Sequence, residues 1–425
     1  MQLMKNAETD NEIIVGLDVG SQTVRALIGE IMPDGRINVL GVGEHASEGI
    51  SRGAVTDIEK VVSSVRRAVD AAELSANCQV HSVFCAISGS HIRSFNEKGM
   101  VSISGEVTEE DVETAIHTAK SIKLPEDCSR LLHALEQSYR IDGQSGIQNP
   151  VGIAGCRLEA YVHLVACHAD SARNLEKCVS RVGMNVSALI YSGLASSDAV
   201  LTSDEKEIGV CLVDIGAGTM DLALFTDGKL RYSKAIRYAG FNATKDVAAT
   251  FGTPFPVAEK LKLQYGTVDT EAYRDQNQTV MIKSVSGDND LSLDLHAVSQ
   301  VLNSRYTELL ELVGNELKEA KSRLQREGRK MQLGAGIVLT GGGSGIRGLL
   351  ELSRTVFNCP VRIGRPSLTL GLTEHVNRPE FSTAVGLLIR GSHHAEYTAS
   401  QNDGREKFQM GRLLRSMWQK LKDIY

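Results

Sequence analysis

Apolar residues fall into short strand-like runs at the start of the chain, and the same order of runs returns near its middle. Ile13-Ile14-Val15-Gly16-Leu17-Asp18-Val19-Gly20 reads as a strand, followed by strands from Thr23 to Ile31 and from Ile37 to Gly43. Thr56 and Glu59 have capping-box spacing for a helix to about Leu74, with Val61, Val62, Val65, Ala68, Val69 and Ala72 on one face. Residues 84–162 are mixed and contain a second capped helix, with Thr108 and Asp111 ahead of Val112 to Lys123. Strand character returns from Tyr161 to Cys167, and a helix then runs to about Val182.

Ile208 to Thr219 is again a strand breaking into a glycine turn, with a further strand from Asp221 to Phe225. Laid over the opening, Asp18 matches Asp214, Gly20 matches Gly216 and Thr23 matches Thr219. Such duplication predicts two similar α/β domains facing each other. A long helix from about Ser299 to Arg326, a strand from Ala335 to Leu339 and a helix near Ser382 to Leu388 complete the body. Residues 391–405 contain almost no core formers and read as a flexible linker.

The 425 residues suffice for two full cores, and the net charge of −6 argues against an electrostatic nucleic-acid binder. That total hides an asymmetry, because residues 405–425 carry six Lys or Arg against two Asp or Glu. None of the eight cysteines has C-x-x-C spacing, so buried reduced thiols are expected. The polar N-terminus does not read as a signal peptide, and no apolar run approaches the ~18–20 residues of a spanning helix. Any membrane contact is therefore expected from the cytosolic face.

Three glycine turns carry the chemistry. Asp18-Val19-Gly20-Ser21-Gln22-Thr23 and Asp214-Ile215-Gly216-Ala217-Gly218-Thr219 each place a carboxylate at a strand end before a tight turn. Backbone N–H groups there can approach phosphate oxygens, so two opposed copies can clamp a triphosphate. Asp18 and Asp214 are the expected Mg²⁺ holders, acting through water because the ion keeps much of its hydration shell. The third turn, Thr340-Gly341-Gly342-Gly343-Ser344, follows a strand and offers bare backbone for a base or ribose, with a helix N-terminus expected beyond.

The last twenty residues form a clean amphipathic wheel when stepped as a helix. Met410, Leu413, Leu414, Met417, Trp418 and Leu421 share one arc, and Arg412, Arg415, Lys420 and Lys422 lie on the other. An apolar edge, a basic face and one indole suit an anionic lipid surface; docking on the body or on a partner is the competing reading.

In order and wording the motifs resemble the actin/heat-shock chaperone/hexokinase superfamily. They comprise two phosphate hairpins (16–28 and 211–224), connecting helices at Leu189 to Ser197 and Ser382 to Leu388, and an adenosine loop at 337–346. Glu259 and Lys262 resemble that superfamily's Glu-x-x-Lys helix, whose side chains reach adenosine. The runs ASEGISRGAVTDIE, CAISGSHI, VDIGAGTMDLAL, AGIVLTGGGSGIRGL and FSTAVGLL narrow the resemblance to the bacterial cell-division actin homologue FtsA.

That resemblance implies duplicated, actin-like, ribonuclease-H-like α/β domains, an inserted subdomain 1C and a C-terminal amphipathic helix. The expected division is subdomain 1A at 1–83 and 163–203, 1C at 84–162, and 2A at 204–245 and 335–390. Subdomain 2B then spans 246–334, the linker 391–405 and the membrane helix 406–425. It further implies binding of ATP with Mg²⁺, polymerisation with itself, and attachment to the cytoplasmic face of the inner membrane at the division site. The implied partners are the C-terminal tail of FtsZ, with Arg305 as the candidate contact, and later division proteins through residues 84–162. Hydrolysing relatives place a Glu where this chain has Ser192, so weak or no hydrolysis is expected; an ATP-consuming enzyme of the same fold is the competing reading.

Overall fold

The computed structural model describes residues 4–5, 11–274, 276–285, 290–367 and 369–393. Linker residues beyond 393 and the predicted membrane helix lie outside the described residues.

Two sheets repeat one topology. In the first, strand Glu12–Val19 pairs antiparallel with Thr23–Ile31, which pairs with Ile37–Ala46; on its other side lies the parallel strand Ser82–Ile87, then Asn185–Tyr191. In the second, Val210–Ile215 pairs antiparallel with Met220–Thr226, followed by Lys229–Ile236, while Gly336–Thr340 and Val361–Ile363 run parallel on the other side. Strands buried on both faces read as continuous apolar runs, as Val210–Ile215 does. Short strand Thr369–Gly371 crosses back to pair with Ile37–Ala46, tying the end of the chain to the first sheet.

Between strands Ser82–Ile87 and Asn185–Tyr191 sits an antiparallel sheet of its own, formed by Arg93–Glu106, Arg130–Ile141, Gln144–Ile147 and Ala154–Cys167. Helix Glu109–Lys120 covers it, with the Thr108–Asp111 capping box formed as predicted. The inserted strands extend from Arg93 to Cys167, whereas Phe84 to Ile87 hydrogen-bond into the first sheet; the division expected at 84 and 162 therefore cuts through two continuous strands.

Three helix starts differ from expectation. Asp57, not Thr56, caps helix Ile58–Ala76 by accepting from Lys60 N–H, while the Thr56 hydroxyl donates to the Gly49 carbonyl. The long helix begins at Leu295, because Asp294 accepts from His296 N–H and Leu295 and Val298 continue the buried stripe. The first connecting helix is Ser192–Val200; Leu189 to Tyr191 still pair in the sheet.

The connecting helices touch both halves. Helix Ser192–Val200 is buried almost throughout. The closing helix from Ser382 buries Ala384, Val385, Leu387 and Leu388 in the first core. They cross at Gly386, where a Cβ would collide with the Ala195 carbonyl.

Candidate functional site

All three predicted glycine turns converge on one cavity of about 560 Å³. Strand pairing carries the first two turns to the same end of their sheets, with Val19 opposite Val24 and Ile215 opposite Met220. The hairpins abut so closely that a Cβ on Gly218 would collide with Ser21 Oγ. Gly341, at φ 80°, lies against the Asp214 carboxylate, where any side chain would collide with Oδ1. Tyr306 is buried beneath this loop, and its hydroxyl donates to the Gly343 carbonyl at 3.1 Å.

Every residue predicted for nucleotide contact lines this cavity except Ser344. Ser344 is buried and its hydroxyl donates to the Gly341 carbonyl at 2.7 Å, so it shapes the loop from within. The α-helix expected straight after the glycines is instead one 3-10 turn, Gly342–Gly345, and the next α-helix starts only at Leu349.

Glu259 and Lys262 sit one turn apart on helix Phe255–Tyr265 and pair at 2.8 Å. Lys262 also donates to Thr244 Oγ1 at 2.9 Å and to the Gly240 carbonyl at 3.2 Å. Gln22, on the opposite wall, donates to Glu259 Oε1 at 3.1 Å and so bridges the two halves across the mouth.

Electrostatically the floor is acidic. Burial pushes the Asp18 carboxyl up to about 6, with Arg25 opposing and Asp214 adding to the rise. Burial likewise raises Asp214, against hydrogen bonds from Ser196 and Thr383. Asp221 is pushed up to about 8, mainly by burial, although Ser88 Oγ lies 2.7 Å from both of its carboxylate oxygens. A divalent cation between Asp18 and Asp214 would relieve this crowding, and bare glycine backbone above it leaves room for phosphates. These residues fit a Mg²⁺-polyphosphate.

Sequence reading missed Asp221, Ser88, Ser196 and Thr383. A signal for Asp221 was available: strand alternation puts Thr219 and Asp221 on one face, and Asp221 is the lone charge in the apolar run Met220 to Phe225. Nothing local marks the others, which reach the site through tertiary packing. Ser192 does line the cavity, as the first residue of its buried helix.

Arg305 lies apart from the cleft, on helix Leu295–Arg326. Its guanidinium is paired with both oxygens of Asp246 and with Glu308 at 2.6 Å. No helix among the described residues is long and apolar enough to cross a membrane.

The family model for cell division protein FtsA matches residues 211–386, and that for the SHS2 domain inserted in FtsA matches residues 89–166. Cell division protein FtsA of Escherichia coli strain K12 is 49% identical over 384 residues, covering 90% of this chain and 91% of that protein. The Pseudomonas aeruginosa protein of the same name is 43% identical over 381 residues, covering 89% of each. Among solved structures, the PilM-PilN type IV pilus biogenesis complex superposes with a TM-score of 0.62 at 15% identity, over 89% of this chain and 98% of that one. MreB5 of Spiroplasma citri bound to ADP gives 0.51 at 15% identity, over 92% and 98%. At such identities these two establish the fold alone, an actin-like one, here carrying the SHS2 insertion.

Proposed function

The chain belongs to the family of cell division protein FtsA, an actin-like cell-division family, and from that premise we propose that it is an ATP-binding scaffold moored to the membrane at the division site. The observation that carries the nucleotide reading is the convergence of both hairpins and the glycine loop on one cleft floored by buried Asp18 and Asp214. Mg²⁺ held near those carboxylates would neutralise the floor, Gly216 to Thr219 would face phosphates, and Glu259 and Lys262 would face adenosine.

In this reading ATP is chiefly a structural ligand. Contacts from both walls to one bound molecule favour the closed arrangement, which is the form that polymerises. The helix expected at 406–425 lies against anionic lipid on the cytoplasmic face. Each basic side chain there adds about 1 kcal/mol, and an array of tails on a polymer multiplies the hold. The acidic tail of FtsZ meets the surface around Arg305, which supports tethering, and the inserted sheet recruits later division proteins.

Titration of the purified chain with ATP, with and without Mg²⁺, tests this reading. Micromolar, Mg²⁺-dependent binding is expected, and no affinity for any adenine nucleotide would overturn it. One observation favours active hydrolysis as a second reading: Asp221 places a further carboxyl of raised pKa in the cavity that Ser192 also lines. Fast steady-state phosphate release would select it.

A further inference from the structure

The turn joining strands Ile50–Ser51 and Ala54–Val55 is wedged into the rim of the cleft, which Ile50, Gly53 and Val55 help to line. Its central residues, Arg52 and Gly53, both hold positive φ, 50° and 77°, the combination a two-residue hairpin turn requires. Glycine adopts that conformation freely, whereas a long cation there is strained. Gly53 N–H donates to Ser21 Oγ at 3.3 Å, and a Cβ on Gly53 would lie 2.6 Å from the Ser88 carbonyl oxygen. Arg52 Cα lies 3.0 Å from where a Gly218 Cβ would stand. Arg52 therefore departs from the seam where the two phosphate hairpins meet.

Its side chain is exposed, with no hydrogen-bond or ion-pair partner among the described residues. The cations that line the cavity are already engaged. Arg25 pairs with Glu44 at 2.8 Å, Lys262 pairs with Glu259 at 2.8 Å, and Arg347 donates to the Tyr265 carbonyl at 2.8 Å. Asp18, Asp214 and Asp221 meanwhile give the floor carboxyls and no positive charge to hold an anion.

We propose that Arg52 is a specificity-determining residue of the cleft, its guanidinium pairing with the terminal phosphate so that a nucleoside triphosphate is preferred over a diphosphate. The assignment rests on the nucleotide reading above. A guanidinium fork matches phosphate oxygens with two parallel hydrogen bonds, and a diphosphate ends one group short of that contact. The same contact would draw the Ile50–Val55 hairpin over the ligand, linking the length of the phosphate chain to the fit between the halves.

Competition titrations of the full-length wild type, Arg52→Lys and Arg52→Gly, with ATP and with ADP in Mg²⁺, test this. Arg52→Gly should weaken ATP by at least about tenfold, the lower end of the scale for hydrogen bonds to charged groups, and ADP by no more than about twofold. Arg52→Lys should fall between. Glycine suits the left-handed turn, so Arg52→Gly should melt no lower than the wild type, which separates loss of charge from loss of fold. An unchanged ratio of ATP to ADP affinity in Arg52→Gly would overturn the proposal alone. A wild type that binds neither nucleotide would remove the cleft reading and this proposal together.

Discussion

Asp214 and Asp221 stand directly opposite each other across the second hairpin, both buried. Opposed residues of an antiparallel pair project from the same face, so the hairpin holds two carboxyls side by side where like charges repel. Ser88 supports one, and Ser196 with Thr383 supports the other, without removing the repulsion.

The first prediction is a pH dependence. Asp221 is raised from 3.8 to about 8 in the folded protein, so the fold favours its protonated form. The resulting stabilisation is complete below pH ~4 and disappears as pH rises through about 8. Thermal melts without nucleotide should therefore fall across that window, and Asp221→Asn should flatten the slope. An unchanged slope in the variant would remove Asp221 as its source.

Asp214→Ala should abolish the Mg²⁺ dependence of ATP binding while leaving the hairpin folded, since removing a buried carboxylate also removes its repulsion from Asp221. Isothermal titration with and without Mg²⁺ reads the difference directly. Equal affinity in wild type and variant would reject the carboxylate's role.

Gly341→Ala combines a left-handed backbone with a collision against Asp214 Oδ1. Strain of this kind costs about 1–3 kcal/mol, so the melting temperature should drop by several degrees and ATP affinity should fall with it. Retention of both would mean that the loop can retreat from Asp214.

Removing residues 406–425 should abolish flotation with vesicles containing anionic lipid, and high salt should weaken flotation of the full chain. Undiminished flotation of the truncated chain would reject the tail as anchor.

Arg305→Ala should weaken binding of an acidic FtsZ tail peptide, measured by fluorescence anisotropy. Because Arg305 also ties Asp246 to Glu308, thermal melting must accompany the measurement: a partner role predicts weaker peptide binding beyond any stability loss. Unaltered peptide affinity would reject it.

Much of this site was legible because its logic is local. A strand, an aspartate and a glycine turn are contiguous, so Asp18, Gly20, Asp214 and Gly216 announce themselves within a few residues, and the duplication marks them twice. The Glu259–Lys262 pair was suggested only by resemblance to the superfamily's Glu-x-x-Lys helix, because a charged pair one helical turn apart is by itself an ordinary solvated face. Ser88, Ser196 and Thr383 could not be read, since serine and threonine occur everywhere and only the packing of three separate elements brings them to the carboxylates. Capping was ambiguous at Thr56 and Asp57, adjacent residues that are both good caps; the Gly49 carbonyl decided it by drawing off the threonine hydroxyl. The insertion's limits differ from expectation because the apolar run from Phe84 to Ile87 belongs to the first sheet, whereas that from Tyr161 to Cys167 pairs entirely within the inserted sheet, and apolar composition alone does not say which sheet a strand joins.

The contact of Gly386 with the backbone of Ala195 makes the intersection of the two connecting helices a fulcrum. With no side chain on Gly386 the two helices meet backbone to backbone, so this crossing sets how closely the two halves approach. A single methyl group at position 386 would act as a shim, since it could be seated only if the two helices were pushed apart.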